Sequence, residues 1–261
     1  MKKLASGCAV VVLVFSASFA QATDWRVGVG AGNGPQYEGS DDYGPVPLIT
    51  VLAQDLYHPE TYVGISNTVL RSNFLAHPNL RAGISAEYVA ERGAFNDIDN
   101  DRVDALSDTD DGLLLGVLIG YETKFRNGSS LIFEIDPRYD VSDEIGGKVK
   151  ARVRYNRKLG TKWVFLGEVE STYASESYMN NLFGVNAKDS GRTGLDQFNA
   201  DAGIMDASVR ATATYLIARS WSATFVASVK QLLGDAADSP ITDDEGDATQ
   251  LFGGASLNFH F

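Results

Sequence analysis

Asp206-Ala207-Ser208-Val209-Arg210-Ala211-Thr212-Ala213-Thr214-Tyr215 sorts its side chains by parity. Ala207, Val209, Ala211, Ala213 and Tyr215 are apolar, while Asp206, Ser208, Arg210, Thr212 and Thr214 are polar. A helix would scatter the two sets around its circumference; a strand places them on opposite faces. The next stretch repeats the pattern. Trp221, Ala223, Phe225, Ala227 and Val229 alternate with Ser222, Thr224, Ser228 and Lys230, and Val226 alone breaks the polar set.

Working outward, the same alternation recurs at 25–32, 80–89, 112–125, 131–140, 148–156, 164–173 and 249–261. Many of these runs are about 9–13 residues long, the length of a tilted membrane-spanning strand rather than of a short sandwich strand. Trp25, Tyr88, Tyr121, Phe125, Tyr155, Trp163, Tyr173, Tyr215 and Trp221 gather towards strand ends, where interfacial girdles sit. Beyond the N-terminal segment no apolar run approaches the ~18 residues of a spanning helix. The expected fold is therefore all-β, a closed antiparallel transmembrane β-barrel.

Eleven strands are visible directly, but a bacterial barrel needs an even number. The stretches 126–130, 159–162 and 218–220 read as short turns, and 92–111, 175–203 and 234–247 as long loops. Splitting Leu56–Asn73 into two short strands joined near Asn67 restores parity and predicts twelve, with ten as the alternative. The last strand puts Ala255, Leu257, Phe259 and Phe261 on one face. A terminal strand ending in Phe resembles the C-terminal signal that marks bacterial barrels for assembly, so Phe259 and Phe261 are the expected signal residues.

The N-terminus sets the compartment. Lys2 and Lys3, an apolar stretch from Ala9 to Phe15, and Ala20-Gln21-Ala22 form a secretory signal peptide over 1–22. The mature barrel then spans 23–261 as one domain and lies in the Gram-negative outer membrane, facing lipid and lipopolysaccharide. Cys8, the one cysteine, leaves with the signal, so no thiolate metal site is expected. Losing Lys2 and Lys3 takes the formal charge from −12 to −14. Such an acidic chain lacks the basic footprint of nucleic-acid binding.

The polar faces carry the sharpest local feature. Lys148, Lys150, Arg152 and Arg154 share one face of a strand whose other face is apolar, so they point into the lumen. The preceding strand aims Glu134, Asp136, Arg138 and Asp140 the same way, and the following one offers Glu168 and Glu170. A hairpin about Asp143–Gly146 pairs Asp140 with Lys148, Asp136 with Arg152 and Glu134 with Arg154. The turn near Gly160 sets Glu168 by Arg154 and Glu170 by Arg152. This set reads as a charge lattice that satisfies a polar wall, or as a constriction that selects solutes by sign. Gly112, Gly116 and Gly120 on one lumen face, and Gly28, Gly30 and Gly32 on another, leave room for long side chains to fill the interior.

Other sites are weak. Asp97, Asp99 and Asp101 have the spacing of a calcium loop's first ligands, but Arg102 stands where that loop needs glycine. Asp243, Asp244, Glu245 and Asp247 form a second acidic loop, suited to bridging through cations to lipopolysaccharide phosphates. Of His58, His77 and His260, none sits in a local motif with Ser or Asp, and Asp189-Ser190-Gly191 reads as a turn. No enzymatic activity and no cofactor are expected.

Three longer stretches resemble the MltA-interacting protein family (MipA/OmpV). They are Gly34-Pro35-Gln36-Tyr37-Glu38-Gly39-Ser40-Asp41-Asp42-Tyr43 followed by Val46-Pro47-Leu48, then Tyr178 to Val185, and Leu232-Leu233-Gly234-Asp235-Ala236-Ala237-Asp238-Ser239-Pro240-Ile241. Asn181-Leu182 depart from the aromatic that the family places before Phe-Gly-Val. The resemblance implies an outer-membrane barrel. For the member that gives the family its name, it implies a scaffold joining a murein lytic transglycosylase to a murein synthase.

Overall fold

The computed structural model describes residues 23–261; the expected signal peptide lies outside them. Twelve antiparallel strands follow one another around a closed barrel. They are β1 (Asp24–Pro35), β2 (Tyr43–Gln54), β3 (Tyr62–Ser66), β4 (Val69–Asn73), β5 (Leu80–Val89), β6 (Gly112–Lys124), β7 (Ser130–Asp140), β8 (Gly147–Leu159), β9 (Trp163–Ala174), β10 (Gly203–Ala218), β11 (Trp221–Leu232) and β12 (Thr249–His260). The twelve-strand count is the one expected. The stretch that needed splitting forms β3 and β4, joined at Asn67, whose positive φ of 51° suits a two-residue hairpin turn.

Closure removes every sheet edge, the condition for burying backbone polar groups in lipid. The terminal strand makes the seam. Val27 faces Phe259 and Val29 faces Leu257 across β1 and β12, and Trp25 and Phe261 exchange backbone hydrogen bonds of 3.2 and 3.1 Å. Outside, Val29, Ile84, Val117, Ile119, Ile135, Val169, Val209 and Phe225 are all exposed, an apolar belt that a soluble protein would bury. At the short-turn end, Trp163 stacks on Tyr215 at 4.8 Å and Trp221 on Phe259 at 4.9 Å. Exposed Tyr43, Tyr88, Tyr139 and Tyr173 mark the opposite end. An apolar belt between two aromatic girdles is the construction of an outer-membrane barrel.

The long loops do not remain open. Loop 90–111 carries the short helix α1 (Asp101–Asp104), capped by Asn100. Loop 175–202 forms α2 (Glu176–Phe183), capped by Ser175, and α3 (Ala187–Thr193), capped by Asn186. Loop 233–248 forms α4 (Asp235–Asp238) and α5 (Pro240–Asp243). Together they build a cap with two small cores. In the inner one, Tyr178, Met179 and Phe183 of α2 and Ala236 of α4 rest on Leu114, Met205 and Leu232 at the strand ends. In the outer one, Tyr37, Val103, Leu106, Val185, Leu195 and Ile241 meet from four loops.

Candidate functional site

The lumen is lined by two unlike walls. From β4 to β9 the inward side chains are charged and interlocked. Asp136, fully buried, accepts from Arg138 Nε at 3.1 Å, Arg152 Nη1 at 3.0 Å and Ser85 Oγ at 2.6 Å. Glu134 accepts from Arg71 at 2.7 Å and from Arg154. Glu87 holds Arg138 at 2.5 Å and Lys148 at 3.0 Å. Glu170 binds Lys150 at 3.0 Å and also Arg152. Glu168 lies 4.0 Å from Arg154 and 3.4 Å from Arg210 of β10. Pairing at these distances, with several hydrogen bonds per charge, is what a desolvated ion needs.

The lattice depends on what β6 lacks. Several pairs join β4 or β5 to β7 or β8 and so cross β6, whose lumen face carries Gly112, Gly116 and Gly120. A Cβ on Gly116 would overlap the Pro137 carbonyl oxygen and stand 2.7 Å from Arg138 Cγ; one on Gly120 would stand 2.9 Å from Glu134 Cγ. The remaining wall, from β10 through β12 to β3, carries the charges Asp206, Arg210 and Lys230 and, towards the short-turn end, a neutral network of Thr214, Ser222, Thr224, Ser256 and Asn258. Here Asn258 Nδ2 donates to Thr224 Oγ1 at 2.9 Å, and its amide carbon would lie 3.2 Å from a Cβ on Gly28.

The register of the β7–β8 hairpin differs by two residues from the one expected. Glu134 faces Arg152, Asp136 faces Lys150 and Arg138 faces Lys148. The cause lies in the turn: Asp140 N bonds to Gly146 O at 2.8 Å, which closes a loop of 141–145, and Asp143 and Gly146 have positive φ. Parity survives such a slip, so every charge still points inward. Diagonal contacts then join Asp136 to Arg152 and Glu134 to Arg154. Asp140 is the exception. It does not meet Lys148 but accepts from Ser142 Oγ and from the backbone N–H groups of Glu144 and Ile145 at 3.2 and 3.4 Å. The β8–β9 register sets Glu168 opposite Arg154 and Glu170 opposite Arg152.

The cap locks onto the lumen through two side chains. Tyr178 reaches down from α2, its hydroxyl 2.7 Å from Lys148 Nζ and its ring 4.7 Å beneath the ammonium. Burial, reinforced by Glu87, pushes this phenol far above its ordinary range, so it stays neutral. Glu38, in the loop after β1, takes both oxygens to Lys230 Nζ at 2.7 and 2.9 Å. Burial pushes the Glu38 carboxyl up, the Lys230 ammonium pulls it down, and the ammonium wins.

The calcium-like spacing resolves into structural contacts. Gln36 and Asp99 exchange two hydrogen bonds of 2.6 and 2.9 Å, and Asp101 opens α1. Among the described residues no group of three or more His, Cys, Asp and Glu side chains is placed to hold a metal ion. One contact escaped the sequence: His260 Nε2 lies 2.8 Å from Ser222 Oγ, two strands brought together by the β11–β12 pairing. Ser222 is fully buried, and among the described residues no acid is hydrogen-bonded to the imidazole.

The three stretches singled out in the sequence converge in the cap. Ser239 Oγ donates to Phe183 O at 2.7 Å, Asp247 N to Gly39 O at 2.9 Å, and Tyr37 OH to Glu245 O at 3.3 Å. The departing residues tie loops together: Asn181 and Asp110 exchange hydrogen bonds of 2.9 and 3.0 Å, and Arg92 donates to Leu182 O at 2.8 Å. The family model described as MltA-interacting protein MipA matches residues 27–261. The chain belongs to the MipA family. Its match spans all three cap stretches and all but the first residues of β1. No curated protein matches this MipA-family chain. Among solved structures it is similar to the CymD monoaromatic hydrocarbon channel, at 9% identity over 92% of this chain and 88% of that one, TM-score 0.43. It is also similar to OprB of Pseudomonas putida, at 8% identity over 92% and 93%, TM-score 0.43. The translocator domain of the autotransporter NalP from Neisseria meningitidis aligns at 10% identity over 94% and 90%, also with a TM-score of 0.43.

Proposed function

We propose that this barrel is a non-enzymatic interaction protein of the outer membrane rather than an open pore, exported by the signal peptide 1–22 and linked to peptidoglycan-remodelling enzymes. The observation that carries the reading is the double obstruction of the lumen: an ion-pair lattice reaching from β4 to β9, and a folded cap whose Tyr178 and Glu38 bind lumen lysines. The family description, MltA-interacting protein, supports a murein lytic transglycosylase as the partner class, and the resemblance seen in the sequence implies a murein synthase as its companion in the scaffold. Lipid meets the apolar belt, and lipopolysaccharide meets the acidic loops.

The periplasmic rim offers a surface for such a partner. Arg126, Lys162 and Arg219 are exposed on the turns joining β6–β7, β8–β9 and β10–β11, Arg157 and Lys158 are exposed at the adjoining end of β8, and no acidic residue stands in turns 125–129, 160–162 or 219–220. This arc suits an acidic protein surface. Two measurements test the proposal. Refolded mature protein in planar bilayers is expected to stay silent, and a photocrosslinker at Thr161 is expected to capture the transglycosylase in cells. Stepwise conductance with selectivity changed by Arg152→Ala would overturn the sealed reading. It would favour the second one, a passive diffusion channel, for which the small polar wall and the half-exposed Arg210 speak.

A further inference from the structure

A cavity of about 310 Å³ lies beneath the cap, between the loop after β1, the loop 90–111 and the lumen ends of β8 to β11. It runs from the surface at Ala94 and Phe95, both exposed, down to Lys150, Glu170 and Asp206. That volume lies in the range of small-molecule sites, where ~300 Å³ is the lower end.

Asp206 is the group the lattice leaves over. Its residue is 3% exposed, and its carboxylate accepts from Thr172 Oγ1 at 3.1 Å. Among the described residues no cationic nitrogen comes within 4.0 Å of it. The three lysines lining the same cavity are engaged elsewhere, Lys148 with Glu87, Lys150 with Glu170 and Lys230 with Glu38. Of the other buried lumen carboxylates, Glu87, Glu134, Asp136, Glu168 and Glu170 have at least one cation each, while Asp140 is met instead by Ser142 Oγ and two backbone N–H groups. A buried carboxylate with one neutral donor is costly unless something else meets its charge.

Its position is also built rather than incidental. The β9–β10 register breaks between Ile204 and Asp206, a bulge that turns Met205 into the cap core and Asp206 into the cavity on consecutive residues. Ser171 Oγ and Leu233 N satisfy the backbone there, at Asp206 O and Met205 O, at 3.0 and 2.9 Å. Bulges of this kind re-aim side chains next to functional sites.

We propose that the cavity binds a small zwitterion carrying an ammonium group, entering from the outer surface between loops 36–42 and 90–111. Its ammonium pairs with Asp206, and its carboxylate meets the ammoniums of Lys150 and Lys230 at the other side. The inference does not rest on whether the barrel conducts.

The test is equilibrium titration calorimetry on the full mature protein in detergent, with glycylglycine, methylammonium and acetate as probes. Glycylglycine is expected to bind most tightly, methylammonium more weakly, and acetate not measurably. Asp206→Asn, which keeps the shape and the Thr172 contact, is expected to weaken glycylglycine at least about tenfold, as removal of a buried charge partner does. Heat-modifiable migration shows whether that variant is folded. Should it fail to fold, Ala94→Trp at the cavity mouth is expected to abolish binding without touching the lumen. Equal affinity of Asp206→Asn and the parent, binding of acetate as tight as glycylglycine, or no heat from glycylglycine at millimolar concentration would each overturn the proposal.

Discussion

On the β4–β9 wall of the lumen, Asp136 is shared by Arg138 and Arg152 while Glu134 is shared by Arg71 and Arg154; on the β10–β3 wall, Thr224 links Thr214 to Asn258 through neutral hydrogen bonds of 3.0 and 2.9 Å. Both walls use glycine to make room. Gly116 and Gly120 let charges meet across β6, and Gly28 accommodates the Asn258 amide. The difference lies in what happens when one member is lost. A vacated hydroxyl site strands a neutral donor, whereas a vacated Asp136 carboxylate leaves two buried guanidiniums each short of one anion, Arg138 keeping Glu87 and Arg152 keeping Glu170. The charged lattice is therefore brittle and specific, the neutral network around Thr224 tolerant.

The sharpest way to break that comparison is Asp136→Ala. Arg138 and Arg152 have side chains only 1% and 6% exposed, and the substitution leaves both without this partner. The expected loss is about 3–5 kcal/mol of unfolding free energy, the cost of breaking a buried pair. Guanidinium titration of the barrel in detergent measures it. Thr224→Ala removes hydrogen bonds to Thr214 and Asn258 and is expected to cost about 1 kcal/mol in the same titration. Equal costs for the two variants would mean that the charged wall is hydrated, and the contrast between the walls would fall.

How legible each region was follows from the range of its interactions. Period-two alternation reports which face a residue occupies, so the strand faces and the inward aim of Lys148, Lys150, Arg152 and Arg154 could be read directly, whereas the twelve-strand count needed the even-number rule as well. Register was less visible. It hinged on whether Gly146 would pair with Asp140, which only the positive φ of Asp143 and Gly146 decides. Contacts that skip β6, such as Glu87 with Arg138, arise from barrel curvature and leave no trace in either strand alone. The cap was least legible. Its helices have four to eight residues, too few to show a period, and its outer core draws Tyr37, Val103, Val185 and Ile241 from four separate loops. Aspartates dominate these loops, while the few apolar residues that organise them are scattered. The bulge at Met205 likewise inverts parity near one end of β10, whose alternation is regular from Asp206 to Tyr215.

The smallest expected effect sits where cap and wall join. Glu38 and Lys230 have side chains 35% and 31% exposed, so their pair is screened and is worth about 1 kcal/mol or less. Global unfolding is a poor probe of so little, whereas hydrogen exchange of residues 36–42 reads it locally. Glu38→Gln is expected to speed exchange there by a few-fold at pH 7 and to leave residues 176–183 unchanged, because α2 is held by its own core and by Lys148. The folded carboxyl lies below its ordinary value of 4.5, so the latch is fully present above pH 4.5 and is lost as pH falls through the lower folded value. Between pH 7 and 5 the ratio of variant to parent exchange should stay constant, and below 4.5 it should shrink towards one. A ratio that already shrinks between pH 7 and 6 would show that some other group controls the loop. The cap would then be joined to the lumen mainly through Tyr178, on the charged wall rather than at β11.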